Sequence, residues 1–361
     1  MVKKFLYSFG LMTATIVGAG MFSLPYVFLK SGWVTGILYL AVLGGVIIFA
    51  HDLYLRLLQR TKTKQRLLGF IARYLGETWR HVGFWIIEVG LLLALVIYLI
   101  LGRDFLVLLF PPLTPWAVFI FWAAASLPLL AGLRRLVFSE IFGAACMTGL
   151  ILLIFTSAFP WSVNRTIPSF SYEHLLLPFG VVLFSIAGWT AIEPIYDSRK
   201  ANRGAMAGGV IAAALLYILF VFGILGSADM ITPDTLSGLS AWPSWKFNIL
   251  LALGLFALWT SYVPISLEIK NSLLHDVRWP ASLVHVAVIF LPLLLYGFGF
   301  RSFLEVLGLA GGVFLSLQYV CIVLVGKKAL ELHPLERFFA NVVAAAFILA
   351  AVYGIYSFVV K

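Results

Sequence analysis

Thr15-Ile-Val-Gly-Ala-Gly-Met-Phe-Ser-Leu-Pro-Tyr-Val-Phe28 is the stretch on which the reading of this chain turns. It lies inside the first apolar segment, residues 5–29, long enough at about 1.5 Å per residue to cross a bilayer. Gly18 and Gly20 straddle its middle and Pro25 follows. Glycine loosens a helix through backbone entropy, and proline removes an amide and clashes with the preceding turn. Lipid offers no partner to a freed amide or carbonyl. Such a break is tolerated only where it is buried in protein or lines a wet cavity. The helix is therefore expected to unwind over residues 17–21 and to present bare backbone to a ligand. The competing reading is close helix packing through Ala14, Gly18 and Ser23. A lone Gly-Ala-Gly does not separate the two.

Composition sets the surroundings. Of 361 residues, 62% are apolar and 11% charged, where a soluble domain carries about 25% charge. The chain reads as a polytopic membrane protein without a soluble domain in its loops. Its net charge of +10 does not imply nucleic acid, because Lys and Arg gather in alternate loops. Lys3 and Lys4 precede the first apolar run as in a signal peptide, but the run is too long and lacks a cleavage motif, so it reads as a retained span. Cys146 and Cys321 fall in apolar spans and read as free buried thiols.

Eleven spans are expected, at residues 5–29, 33–55, 82–110, 116–133, 137–159, 175–196, 205–225, 247–269, 280–298, 303–325 and 338–360. With the N-terminus inside, nineteen of the 25 Lys and Arg lie in cytoplasmic loops, which sets the orientation. The expectation is a multi-pass plasma-membrane protein with its N-terminus cytoplasmic and its C-terminus outside. Two loops have content. Residues 65–76 place Leu67, Leu68, Ile71, Tyr74 and Leu75 on one helical face, suited to a helix lying on the cytoplasmic leaflet. Residues 230–242 form an external lid or a plain loop.

Span 6 repeats the pattern of span 1. In Phe184-Ser-Ile-Ala-Gly-Trp-Thr-Ala-Ile-Glu-Pro-Ile-Tyr196, Gly188 precedes Pro194 by six residues, as Gly20 precedes Pro25 by five. A period of five spans is odd, so the second copy enters the membrane from the opposite side. The expected organisation is one transporter domain over 1–361: repeat one at 5–159, an inverted repeat two at 175–326, and an extra helix at 338–360. Matching Gly/Pro interruptions in two such halves point to a transporter's central site. This coincidence decides for a ligand site over packing.

The run Gly18-Ala-Gly-Met-Phe-Ser-Leu-Pro-Tyr26, with Ser31-Gly-Trp33 and Gly36, resembles the first-helix signature of the amino acid/auxin permease family. It is also similar to bacterial aromatic amino acid permeases; both belong to the amino acid–polyamine–organocation superfamily. Residues 91–102, with Tyr98, resemble that family's third helix, Pro194-Ile-Tyr196 its sixth and Val306-Leu-Gly-Leu-Ala-Gly-Gly312 its tenth. Glu193 before the proline departs from the pattern. The resemblance implies an all-α, five-plus-five inverted-repeat bundle with broken helices 1 and 6 that moves amino acids with sodium or protons. It implies further that the substrate carboxylate meets amides at Gly18, Ala19, Gly20 and Met21, where the helix start adds positive dipole. The ammonium would meet carbonyls around Ser185, Ile186 and Gly188, and Tyr98 and Trp189 would line the pocket. Packing is the alternative for those two rings.

Charges within spans are costly, so each is a functional suspect. Glu140 and Glu268 lie near span ends and are expected to snorkel or to pair with Arg134, Arg135 or Lys270. Glu88 and Glu193 are deeper, and Glu193 reads as a proton carrier or a structural partner. Of six histidines, His285 reads as the deep one, satisfied in the core. No metal spacing, nucleophile elbow or phosphate loop occurs, which argues against an enzyme. A sensor that binds an amino acid without transporting it is the other alternative. No cofactor and no protein partner are expected.

Span 8 carries Ala257-Leu-Trp-Thr-Ser261, which resembles the sodium site of neurotransmitter:sodium symporters. The i, i+3, i+4 spacing puts the Ala257 carbonyl and the Thr260 and Ser261 hydroxyls on one face. Carbonyls of Ala14 and Val17 would complete the set. Proton-coupled relatives often have a Lys in span 5, and none stands at 137–159 here. Sodium is the expected coupling ion, with a proton carried by Glu193 as the alternative.

Overall fold

Apolar segments must satisfy their backbone internally, and the computed structural model, which describes residues 2–61, 65–130, 136–158, 167–240 and 242–359 without the side chains of 136–141 and 157, is helical in its regular elements. In order these are α1 (Val2–Ile16), α2 (Leu24–Ser31), α3 (Trp33–Thr61), α4 (Leu67–Leu75), α5 (Glu77–Leu109), α6 (Ala117–Leu130) and α7 (Leu136–Ser157). There follow α8 (Leu177–Ile186), α9 (Ile192–Asp197), α10 (Arg203–Ser227), α11 (Ser244–Ser272), α12 (Ala281–Gly297), α13 (Phe303–Leu309), α14 (Ser316–Ala329) and α15 (Pro334–Val359).

Among the described residues, eight helices are long and apolar enough to cross a membrane, and the bent pair α1–α2 makes a ninth. The apolar helices Phe142–Thr156 and Ala281–Gly297, at the places of spans 5 and 9, are shorter. Eleven crossings are therefore not established by length.

Helix α5 is the axis. Every residue from 90 to 102 is buried, as befits a helix apolar on all sides. It packs on α4, α6, α11, α12 and α13. At the periphery, α15 seats small residues such as Ala340, Ala344 and Ala351 inward and leaves Phe338, Leu349 and Tyr356 exposed. That one-sided face suits lipid.

Three expectations are corrected. Helix α4 does form, but Leu67, Leu68, Phe70 and Ile71 are buried against α5 and α14, so its apolar face is spent on protein and not on a leaflet. Glu268 does not snorkel: α11 runs on to Ser272 and into a π turn at Leu273–Val277, which leaves its side chain 5% exposed. The deep histidine is His51, bonded to the Tyr319 hydroxyl at 3.1 Å; His285 bonds back to the Ala281 carbonyl on an exposed face. The pairing of Glu140 with Arg134 or Arg135 lies outside the described residues.

Candidate functional site

Both helices break where the glycines stand. α1 ends at Ile16, Val17 and Gly18 bend, and a 3-10 turn at Ala19–Ser23 leads into α2, with a 47° change of direction. The break is thus shorter than residues 17–21, because Ala19, Gly20 and Met21 already curl. The second break is Ala187 and Gly188, followed by a 3-10 turn at Trp189–Ala191; Ser185 and Ile186 still belong to α8.

Tyrosines answer for much of the freed backbone. Tyr217 of α10 lies with its hydroxyl 2.6 Å from the Ile16 carbonyl and 2.8 Å from that of Ser185, so one side chain joins the two broken helices. Tyr319 of α14, itself held by His51, accepts the Gly188 amide at 3.4 Å. Tyr98 of α5 stands beside the Ala19 amide and the Ser261 hydroxyl. A buried amide or carbonyl without a partner is costly, and these hydroxyls hold the breaks open at that cost removed.

A cavity of about 70 Å³ lies against the breaks. Gly18, Ala19, Gly20, Tyr98, Gly188 and Trp189 line it. Met21, Ser185 and Ile186 do not. Met21 is buried in the 3-10 turn, the Ser185 hydroxyl bonds back to Val181, and Ile186 packs in the core. Gly20 acts through closeness: an added Cβ would lie 2.6 Å from the Ser185 hydroxyl and 2.7 Å from its Cα. Its missing side chain would point at α8 while its backbone lines the cavity, and so it lets the two broken helices touch. On the opposite wall stand Leu91 and Ala94 of α5 with Pro264 and Ile265 of α11. Gln318, missed from the sequence, closes the set: its carbonyl accepts the Trp189 indole at 2.9 Å and its amide donates to Ile86 at 3.2 Å. An amide side chain deep in span 10 was the available signal.

The expected sodium ligands fall into two surroundings. Thr260 donates to the Ala257 carbonyl at 2.9 Å and faces Gly143 of α7. Ser261 faces Gly18 and the cavity, and Ala14 lines the cavity too. Val17 is buried at the bend.

The end of the bundle that carries most Lys and Arg, called the basic end below, is closed by charge. Glu193 is buried in an ion pair with Arg66 and accepts the Tyr54 hydroxyl. Arg66 also approaches Asp197, at 3.7 Å. Asp276, beyond α11, accepts the Gly69 amide at 3.0 Å and the Arg66 amide at 3.4 Å. It thereby caps α4, whose first amides have no partner inside their own helix. The role of Arg66, one residue before the apolar face read for α4, was missed because its partners lie about 130 and 210 residues away.

The far end is closed by rings and a loop. Phe22 makes edge contacts with Phe105 and Phe220, centroids 5.3 and 5.8 Å apart. In the loop after α10, Thr235 donates to the Phe22 carbonyl, the Pro233 carbonyl accepts from Ser23 at 2.9 Å, and Leu236 and Leu239 are buried. The loop is seated on the first break.

Two broken helices facing a central cavity, closed at both ends, define a membrane transporter of the inverted-repeat class. The chain belongs to the transmembrane amino acid transporter family, whose model matches residues 1–228. No curated protein sequence matches it. Among solved structures it is similar to MhsT in complex with L-phenylalanine, at TM-score 0.71 and 15% identity over 98% of each chain. It is similar also to MHP1, a nucleobase-cation-symport-1 family transporter with bromovinylhydantoin bound, at TM-score 0.60 and 14% identity over 99% of this chain and 90% of that one. A manganese transporter of Eremococcus coleocola follows, at TM-score 0.58 and 12% identity over 98% and 95%. At such identities these likenesses speak to fold: an all-α, multi-pass, five-plus-five inverted repeat with helices 1 and 6 broken.

Proposed function

We propose that this chain is a secondary active transporter of amino acids that works by alternating access and draws on a cation gradient. The single observation that carries the reading is the cavity bounded by the backbone of both breaks, at Gly18 to Gly20 and at Ala187 and Gly188. Family membership supports the substrate class, and MhsT binding L-phenylalanine on the same fold is in keeping with it. The substrate carboxylate meets the first break and the ammonium the second, with Tyr98, Trp189 and Gln318 around the side chain. Met21, Ser185 and Ile186 support the breaks from behind. The basic end faces the cytoplasm of a plasma-membrane protein, the N-terminus inside and the C-terminus outside. Repeat one spans 5–159 and repeat two 175–326, with 338–360 added.

For the coupling ion, the split of Ala14, Val17, Ala257, Thr260 and Ser261 between two surroundings weighs against a preformed sodium site and favours a proton. Glu193 is then a poor carrier, because it is committed to an ion pair with Arg66 and accepts the Tyr54 hydroxyl. It serves instead to close the basic end. The test is uptake of a labelled amino acid panel by proteoliposomes, with sodium and pH gradients varied separately. Accumulation driven by one gradient supports the reading; binding without flux would make the chain a sensor.

A further inference from the structure

Below the cavity, towards the basic end, two helix faces run in parallel. On α5, Tyr98, Ala94, Leu91 and Glu88 recur at three- and four-residue steps, and the first three line the cavity. On α11, Ser261, Ile265, Glu268 and Ser272 do the same, the first two lining the cavity. Such steps stack side chains on one helix face. A shared seam between α5 and α11, apolar at Ala94, Leu91 and Ile265 and polar at Glu88, Glu268 and Ser272, thus leads from the cavity towards Asp276, in the closure around Arg66.

Glu88 is the group on this seam without a role so far. It is 4% exposed; one oxygen accepts the Ser272 hydroxyl at 2.5 Å, and the other is buried with no partner. Among the described residues, the charged groups brought to it come from α11 and the turn after it, and both of these, Glu268 and Asp276, are acidic. Arg66 is committed to Glu193 and Asp197. A buried carboxylate without a cation costs several kcal/mol, more with like charges nearby. A proton on the unpartnered oxygen removes that cost.

We infer that Glu88, beside Glu268 and held by Ser272, is a proton-binding site that couples a proton to substrate movement through the cavity above it. This rests on the transporter reading. The proton arrives through the cavity and adds to the free carboxyl oxygen while the basic end is shut. When α11 and α5 part at that end, water reaches the carboxyl and solvates its ionised form, so the proton is lost to the cytoplasm, and the cycle returns with Glu88 recharged from outside.

The reconstituted full chain tests this in two ways. An infrared spectrum at neutral pH should contain the carbonyl band of a protonated carboxyl, absent in Glu88→Gln; its absence from the wild type overturns the site. In proteoliposomes, an inward gradient of about one pH unit should concentrate substrate about tenfold for one coupled proton. Glu88→Gln, which keeps an acceptor for Ser272 and mimics the protonated state, should exchange substrate at near wild-type rate yet not concentrate it. Concentration by Glu88→Gln, or by the wild type on sodium alone, overturns the coupling role. Should Glu88→Gln not fold, Ser272→Ala takes its place and should shift the pH profile of exchange; an unmoved profile overturns the site. If the wild type moves no amino acid under either gradient while the band is present, the transporter reading has failed and the protonated site has not.

Discussion

At the far end of the bundle Phe22 sits edge-on to Phe105 and Phe220 under a loop tied to it by backbone carbonyls, with no charge in the contact. At the basic end Arg66 is set among Glu193, Asp197 and Asp276, with Tyr54 completing the group. The first closure is apolar, and its strength is that of packed rings, which have no preference for one charge state. The second is ionic. Its strength depends on every partner staying in place, because removing one strands a buried charge, whereas removing both can be nearly neutral. In the alternating-access cycle proposed above, such asymmetry would matter: the basic end is the one where ions gain from being wetted, and it is the end next to Glu88.

Four substitutions probe the contrast, each read by melting temperature and by labelling of a cysteine at the cavity (Ile265→Cys) in a variant lacking Cys146 and Cys321. The largest effect is expected from Arg66→Ala, which strands Glu193 and should cost about 3–5 kcal/mol. Labelling should appear from the basic end, and Glu193→Gln added to it should recover most of the loss. If the double variant is no better than the single, the pair is not what holds that end. Phe22→Ala should cost about 3 kcal/mol and open labelling from the far end only, unrelieved by any charge change. Labelling from the basic end instead would erase the distinction drawn here.

Gly20→Ala comes third, at about 2 kcal/mol, because its Cβ has to displace Ser185 of a packed helix. It should weaken substrate binding by parting the breaks, and unchanged affinity would show that their contact is not needed. Smallest is Thr235→Val, which removes one hydrogen bond to Phe22 at about 1 kcal/mol. Its signature is faster labelling from the far end with melting barely changed, and no such change would make the loop a passive connection.

Much of the site was legible because backbone breaks leave a local mark. Gly18, Gly20 and Gly188 followed by Pro25 and Pro194 announce interruptions, and five-span spacing relates them. What a break touches has no local mark. Gly20 reads as a backbone facing a ligand, and its closeness to Ser185 is legible only in the fold; Tyr217, Tyr319 and Gln318 read as ordinary residues of apolar spans, yet the two tyrosines hold the breaks and Gln318 lines the cavity. Within the i, i+3, i+4 pattern at Ala257, Thr260 and Ser261, only the fold shows that Thr260 donates to the Ala257 carbonyl of its own helix.

By itself the sequence determined the membrane setting, the helical class, the two interrupted helices and the family resemblance, since hydropathy, glycine, proline and charge act over a few residues or along one segment. Tertiary structure alone decided that α4 turns its apolar face inward, that Arg66 meets Glu193 across 127 positions, and that Glu88 meets Ser272 across 184. The reason is physical: whether a buried carboxylate is paired, stranded or protonated depends on which side chains arrive within hydrogen-bond reach. In a bundle that is set by how helices distant in sequence pack against each other.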